Sequence, residues 1–133
     1  MAKNDVQENK NIRVFYIIGD DPIARIKESN VVVDEILGSN DRSLALESFD
    51  LSDSDSDDGR NEIIDRAITS LMSPPFLTEI RVIVIRDIGG ATKENIDPLV
   101  KYFQDMTQTS YLVMVQGGGR ILPTLTKAFK RIS

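Results

Sequence analysis

LMSPPFLTEIRVIVIR, residues 71–86, sets a short apolar turn directly against the strongest strand signal in the chain. Val82, Ile83, Val84 and Ile85 form an unbroken β-branched run, the pattern of a strand covered on both faces, as in a parallel sheet. A central position in the sheet follows. Immediately before it, Pro74 and Pro75 end a helical pattern, because proline lacks the helix donor and restricts the residue that precedes it. Phe76 and Leu77 are thereby carried on a short, stiff connection, where two large apolar side chains either fold back into the core or stand out to meet a partner.

The chain has 133 residues, of which 41% are hydrophobic, enough for one domain with a core and too few for two. It contains no Cys and no His, which excludes disulfides, thiol nucleophiles, thiolate or imidazole metal sites and imidazole bases. No run approaches a membrane span, and the polar start MAKNDVQENK lacks the apolar centre of a signal peptide, so the expected location is the cytoplasm. A net charge of −5 disfavours autonomous nucleic-acid binding. The charge is uneven, with 7 Lys/Arg against 14 Asp/Glu in residues 1–60 and 9 against 7 in residues 61–133.

Outward from residues 71–86, the expected organisation is a disordered tail over 1–11 and one domain over 12–133. RVFYII at 13–18 reads as a strand, and Asp20, Asp21 and Pro22 after Gly19 supply an N-cap and a first-turn proline. Ile23, Ile26, Val33 and Leu37 repeat at near-helical spacing up to a C-cap at Gly38. SLALESFDL at 43–51 is expected to be a strand near an edge. The SDSDSDDG linker follows; Asp53, Asp55 and Asp57 imitate a calcium loop, but Asp58 and Ile64 stand where that loop needs glycine and glutamate, so the acids are assigned to solvent and to the next helix's positive end. From Arg60, Ile63, Ile64, Ala67, Ile68, Leu71 and Met72 mark one helix face, with the methionine read as core. Beyond the central strand, Asp97 and Pro98 are expected to open a helix presenting Leu99, Val100, Phe103 and Met106, SYLVMV at 110–115 forms a fourth strand, and Pro123 opens a last helix carrying Leu125, Ala128, Phe129 and Ile132 inward.

Alternating strands and helices predict an α/β fold with a parallel sheet and right-handed crossovers. Ligands of such sheets gather at the strands' carboxyl ends, which directs attention to the turns after Ile18 and Ile85. A P-loop would place GxxxxGK[ST] after the first strand; GDDPIARIK stands there, without the second glycine or the GK[ST] triplet, and with two acids that repel a triphosphate. Asp20, Asp21 and Asp87 also resemble the acid triad of a phospho-acceptor receiver domain, although Gln116 replaces its hydroxyl residue and its lysine has no counterpart.

VFYIIGDDP, SFDLSD, PPFLTEIRVIVIRD, YLVMVQGG and LTKAFKRI, in this order, resemble the delta subunit of the bacterial DNA polymerase III clamp loader. The resemblance covers residues 12–133, with Pro75, Phe76, Leu77 and the strand-opening Arg81 as its most specific part. It implies a three-layer P-loop/AAA+-like parallel sheet with helices on both faces and a degenerate nucleotide motif. It also implies the amino-terminal domain of a longer protein, truncated before a last strand that would lie beside residues 13–18. The implied role is non-catalytic, with no cofactor and no metal: binding the sliding clamp (beta subunit) and helping to open it during replication, while other clamp-loader subunits join through the missing carboxyl-terminal part. Carried over by position, the clamp-binding residues are Phe76 and Leu77, with Leu71, Met72, Pro74 and Pro75 beside them. The double proline departs from the family pattern. A bare first strand would favour self-association of the chain. The alternatives are the receiver-like domain and an unrelated protein-binding scaffold.

Overall fold

Residues 82–85 alternate between two buried faces, and the whole molecule is layered around them in a computed structural model that describes residues 12–118 and Leu125. The strands β1 (Val14–Ile18), β2 (Leu46–Asp50), β3 (Arg81–Arg86) and β4 (Ser110–Gln116) form one sheet in the order β1-β4-β3-β2, every pair parallel. Val82 and Val84 point to one face, where they meet Phe15, Ile17, Val113 and Val115 and the helix α1 (Pro22–Leu37). Ile83 and Ile85 point to the other, against the helices α3 (Asp57–Met72) and α4 (Lys93–Phe103). Helices cover both faces, so no apolar residue of β3 between its two arginines reaches solvent. The three-layer α/β architecture expected from the sequence is the one observed. β3 is internal, β2 lies at one edge, and among the described residues β1 forms the other.

Several boundaries differ from the sequence reading, each for a local reason. The strand expected over 43–51 begins only at Leu46, because Asp41 caps a single helical turn, α2 (Arg42–Ala45). The Asp41 carboxylate accepts from the Ser43 amide and hydroxyl at 2.9 and 2.7 Å, and those bonds hold its pKa below the usual carboxylate value. α3 starts at Asp57 rather than Arg60, capped by the Ser56 hydroxyl, with Asp57 and Asp58 in the first turn where the helix dipole favours them. α4 starts at Lys93, five residues before Pro98. Thr92 and Asn95 form a reciprocal capping box there, and this start outweighs the hydrogen bond that Pro98 cannot donate inside the helix.

Ile23 and Ile26 are exposed, against expectation; the buried stripe of α1 is Ser29, Val32, Val33 and Leu37. Only the carboxyl half of α1 lies on the sheet, while its first turns overhang the strands' carboxyl ends. Gly38 closes the helix at φ 55°, a left-handed value that favours glycine. The readings of residues 1–11 and of a helix from Pro123 lie outside the described residues, except that Leu125 is helical and fully buried.

Asn95 ties the layer of α3 and α4 together. Fully buried, its amide donates to the Asn61 side chain at 2.5 Å and the Asp57 carbonyl at 3.3 Å, while its oxygen accepts from the Thr92 amide at 2.9 Å. Asn95→Ala removes the box and the bonds that join α3 to α4, so a loss of about 1–3 kcal/mol is expected in urea denaturation.

Candidate functional site

Two places stand out, at opposite ends of the sheet. At the carboxyl ends lies a cleft of about 390 Å³ lined by Arg25, Ile26, Asp50, Arg86, Asp87 and Gln116, among others. Its floor is already committed to internal contacts. The Asp21 carboxylate caps α1 by accepting from the Ile23 amide at 3.0 Å, Pro22 removes another amide, and Arg25 donates to the Gly19 carbonyl at 2.6 Å. Asp20 lies so close to Gly118 that a Cβ there would overlap its carboxylate. The helix terminus that would receive a phosphate in a working P-loop therefore carries acid and proline instead. Tyr16 donates its hydroxyl to Gln116, and burial pushes its pKa up to about 12, so it stays protonated at neutral pH.

The receiver reading fails on topology. Its acids need the first and third strands side by side, as in the 2-1-3-4-5 order of that fold class, whereas β4 here separates β1 from β3. Two strand spacings, about 10 Å, stand between the end of β1 and Asp87.

At the amino ends, the turn between α3 and β3 carries the apolar residues singled out in the sequence. Phe76 is 63% exposed, Leu77 77% and Met72 64%; Pro74 is exposed and Pro75 half-buried. Phe76 and Leu77 thus stand away from the domain's own core. Met72, read from its spacing as a core residue, stands out as well, because Leu71 takes the last inward position of α3. Leu71 itself is fully buried in the core with Ile64, Ala67 and Ile83, and this corrects its assignment to the contact surface: it lies beneath the patch, not in it.

The turn is tied down on both flanks. Arg81 donates to the Pro74 carbonyl at 3.2 Å, Asn40 accepts from the Glu79 amide at 2.9 Å, and the buried Ser110 hydroxyl donates to the Leu71 carbonyl at 2.6 Å. Arg81 also faces Glu47 at 3.9 Å. None of these ties was read from the sequence, since Asn40 and Ser110 come from distant segments.

Leu77 sits at φ 61°, in the left-handed region that bulky residues rarely occupy. Such a strained residue on a pinned turn is a mark of a functional loop. Leu77→Gly is expected to be about 1 kcal/mol more stable than Leu77→Ala in chemical denaturation, because both lose the exposed side chain and only glycine relieves the backbone.

Comparison with known proteins places this arrangement in context. The family model described as DNA polymerase III, delta subunit, matches residues 15–131. No curated protein sequence matches the chain. Among solved structures, the Bacillus subtilis DNA clamp loader delta protein (YqeN) superposes with a TM-score of 0.76 at 18% identity over 99% of this chain. A DNA polymerase III gamma subunit-related protein from Thermotoga maritima gives 0.71 at 14% over 95%, and a mutant of Thermotoga maritima RuvB gives 0.55 at 10% over 96%. At these identities the likeness is one of fold. The chain spans 40%, 42% and 39% of those three chains.

Proposed function

Because this chain belongs to the DNA polymerase III delta subunit family, we propose that it is a non-catalytic clamp-loader domain that binds a sliding clamp through Phe76 and Leu77. Met72, Pro74 and Pro75 complete the contact surface in this reading, and Leu71 supports it from below. The observation that carries the proposal is the exposure of an adjacent Phe and Leu on a turn stiffened by two prolines and held by Arg81, Asn40 and Ser110. Single exposed apolar residues are ordinary, but Met72, Phe76 and Leu77 lie together at one pinned turn, and a contiguous apolar patch is a mark of an interaction site. A preformed turn also spares the entropy of ordering a loop on binding.

The clamp's contribution is a hydrophobic pocket, and the two side chains are its anchors. For such contact to help open a closed ring, it must be stronger on the open or strained clamp, since a ligand shifts an equilibrium only by its differential affinity for the two states. ATP hydrolysis belongs to partner subunits, which join this protein outside the domain described, and the work is done in the cytoplasm. Among the described residues no helix is long and apolar enough to cross a membrane.

The test is titration of the chain with its cognate bacterial sliding clamp, wild type beside the Phe76→Ala, Leu77→Ala double variant. Saturable binding that the variant loses supports both role and anchors. Binding that the variant keeps moves the site, and a folded chain that ignores the clamp removes the proposal and leaves a scaffold for some other protein.

A further inference from the structure

α3 and α4 lie side by side on one face of the sheet, turning Ile64, Ala67 and Leu71 of the first and Ile96, Leu99 and Phe103 of the second into the core. Their outer flanks do not close over one another. Between them remains a groove of about 480 Å³ lined by Ile68, Met72, Pro98 and Tyr102 together with the charged Asp65, Lys101 and Asp105. Met72 belongs to this groove and is also the last residue of α3, from which the chain passes directly into the 73–77 turn.

We propose that this groove is a second contact for the same partner, receiving an apolar side chain of the sliding clamp while Phe76 and Leu77 enter the clamp's own pocket. The inference rests on the clamp-binding reading and deepens it.

Area is the first argument. A specific interface needs about 800 Å² from each partner. An aromatic side chain supplies about 150–250 Å² even when fully buried, so the Phe76–Leu77 pair falls well short and the rest must come from adjoining surface. Continuity is the second. Met72 is 64% exposed, leads into the anchor turn and lines the groove, so contact can run from one to the other along the end of α3. Preformation is the third: Pro98 and the nearly buried Tyr102, whose hydroxyl accepts from the Thr107 amide at 3.3 Å, give the groove fixed walls. Knob-in-groove contact here would also fix the orientation of the domain on the clamp, which a single pair of anchors leaves free to rotate.

The chain has no cysteine, so Thr69→Cys places a unique thiol at the groove for an environment-sensitive dye, and Lys27→Cys places one on α1 across the sheet as a control. Clamp titration should shift the dye at position 69, saturating with the affinity measured by mass-based binding, and leave the dye at position 27 unchanged. Thr69→Arg, which fills the groove with a charged side chain, should weaken clamp binding about tenfold, the loss of one good apolar contact, with unchanged thermal stability. If Phe76→Ala with Leu77→Ala abolishes binding while the dye at 69 stays silent and Thr69→Arg binds within about twofold of wild type, the groove is no contact and the anchor reading stands. If the anchor variant binds like wild type, the anchor assignment falls and the dye at 69 with Thr69→Arg decides the groove alone; if the wild type ignores the clamp, both proposals fall together.

Discussion

The Phe76→Ala, Leu77→Ala double variant is expected to bind the sliding clamp roughly 30- to 1,000-fold more weakly than wild type and to unfold at the same temperature. Full burial of a Phe or Leu side chain is worth about 1.5–3 kcal/mol. Phe76 and Leu77 are already 63% and 77% exposed, so about two thirds of that sum remains to be gained on binding, or roughly 2–4 kcal/mol for the pair. Each 1.4 kcal/mol or so is a factor of ten in affinity. The folded domain forfeits little, because the removed atoms contact solvent. Isothermal titration with the clamp, beside a thermal melt of the free domain, measures the two quantities separately. A melt lowered along with affinity would mean that the side chains support the fold, and the exposed-anchor argument would fail.

Leu71→Ala should do the reverse. Its side chain is fully buried among Ile64, Ala67 and Ile83, so truncation removes transfer energy and leaves a cavity, a loss of about 2–5 kcal/mol. For a domain of this size that lowers the melting midpoint by roughly 7–18 °C. It is also a large part of the 5–15 kcal/mol, or so, by which such domains are stable. Measured well below that midpoint, clamp affinity should stay within about twofold of wild type, because the Ser110 bond goes to the Leu71 carbonyl and survives the substitution. A Leu71→Ala protein that melts normally and fails to bind would put Leu71 back among the anchors. The contrast between residues 71 and 76 is the sharpest test of where core ends and contact surface begins.

That boundary was only partly legible beforehand. Helical spacing along residues 63–72 identified a face correctly in Ile64, Ala67 and Leu71, but it could not say that Met72, one residue further round, would look outward. The same ambiguity misplaced Ile23 and Ile26. Apolar spacing reports which side of a helix could be buried, whereas burial also depends on how far the sheet extends beneath it, and α1 overhangs the strands at that end. Helix starts were displaced where polar side chains close reciprocal bonds: the Thr92–Asn95 box outweighs Pro98 as a boundary signal. Its members are polar residues of ordinary type, whereas proline announces itself.

By itself the sequence determined the architecture. An unbroken β-branched run in residues 82–85 suits a strand covered on both faces, and its alternation with helical segments argues for parallel crossovers, so an α/β fold with a parallel sheet follows from local chemistry, while the three-layer arrangement came from the family resemblance. It also marked residues 74–77 as a turn, because proline acts on its own backbone. Only the tertiary structure decided that β4 separates β1 from β3, which removes the acid-cluster reading, and that Leu71 belongs to the core while Met72, Phe76 and Leu77 face solvent. The left-handed Leu77 and the ties from Asn40, Arg81 and Ser110 likewise appear only in three dimensions. The physical reason is range: propensity and periodicity act over a few residues, whereas strand order, exposure and the pinning of a turn depend on groups brought together from distant parts of the chain.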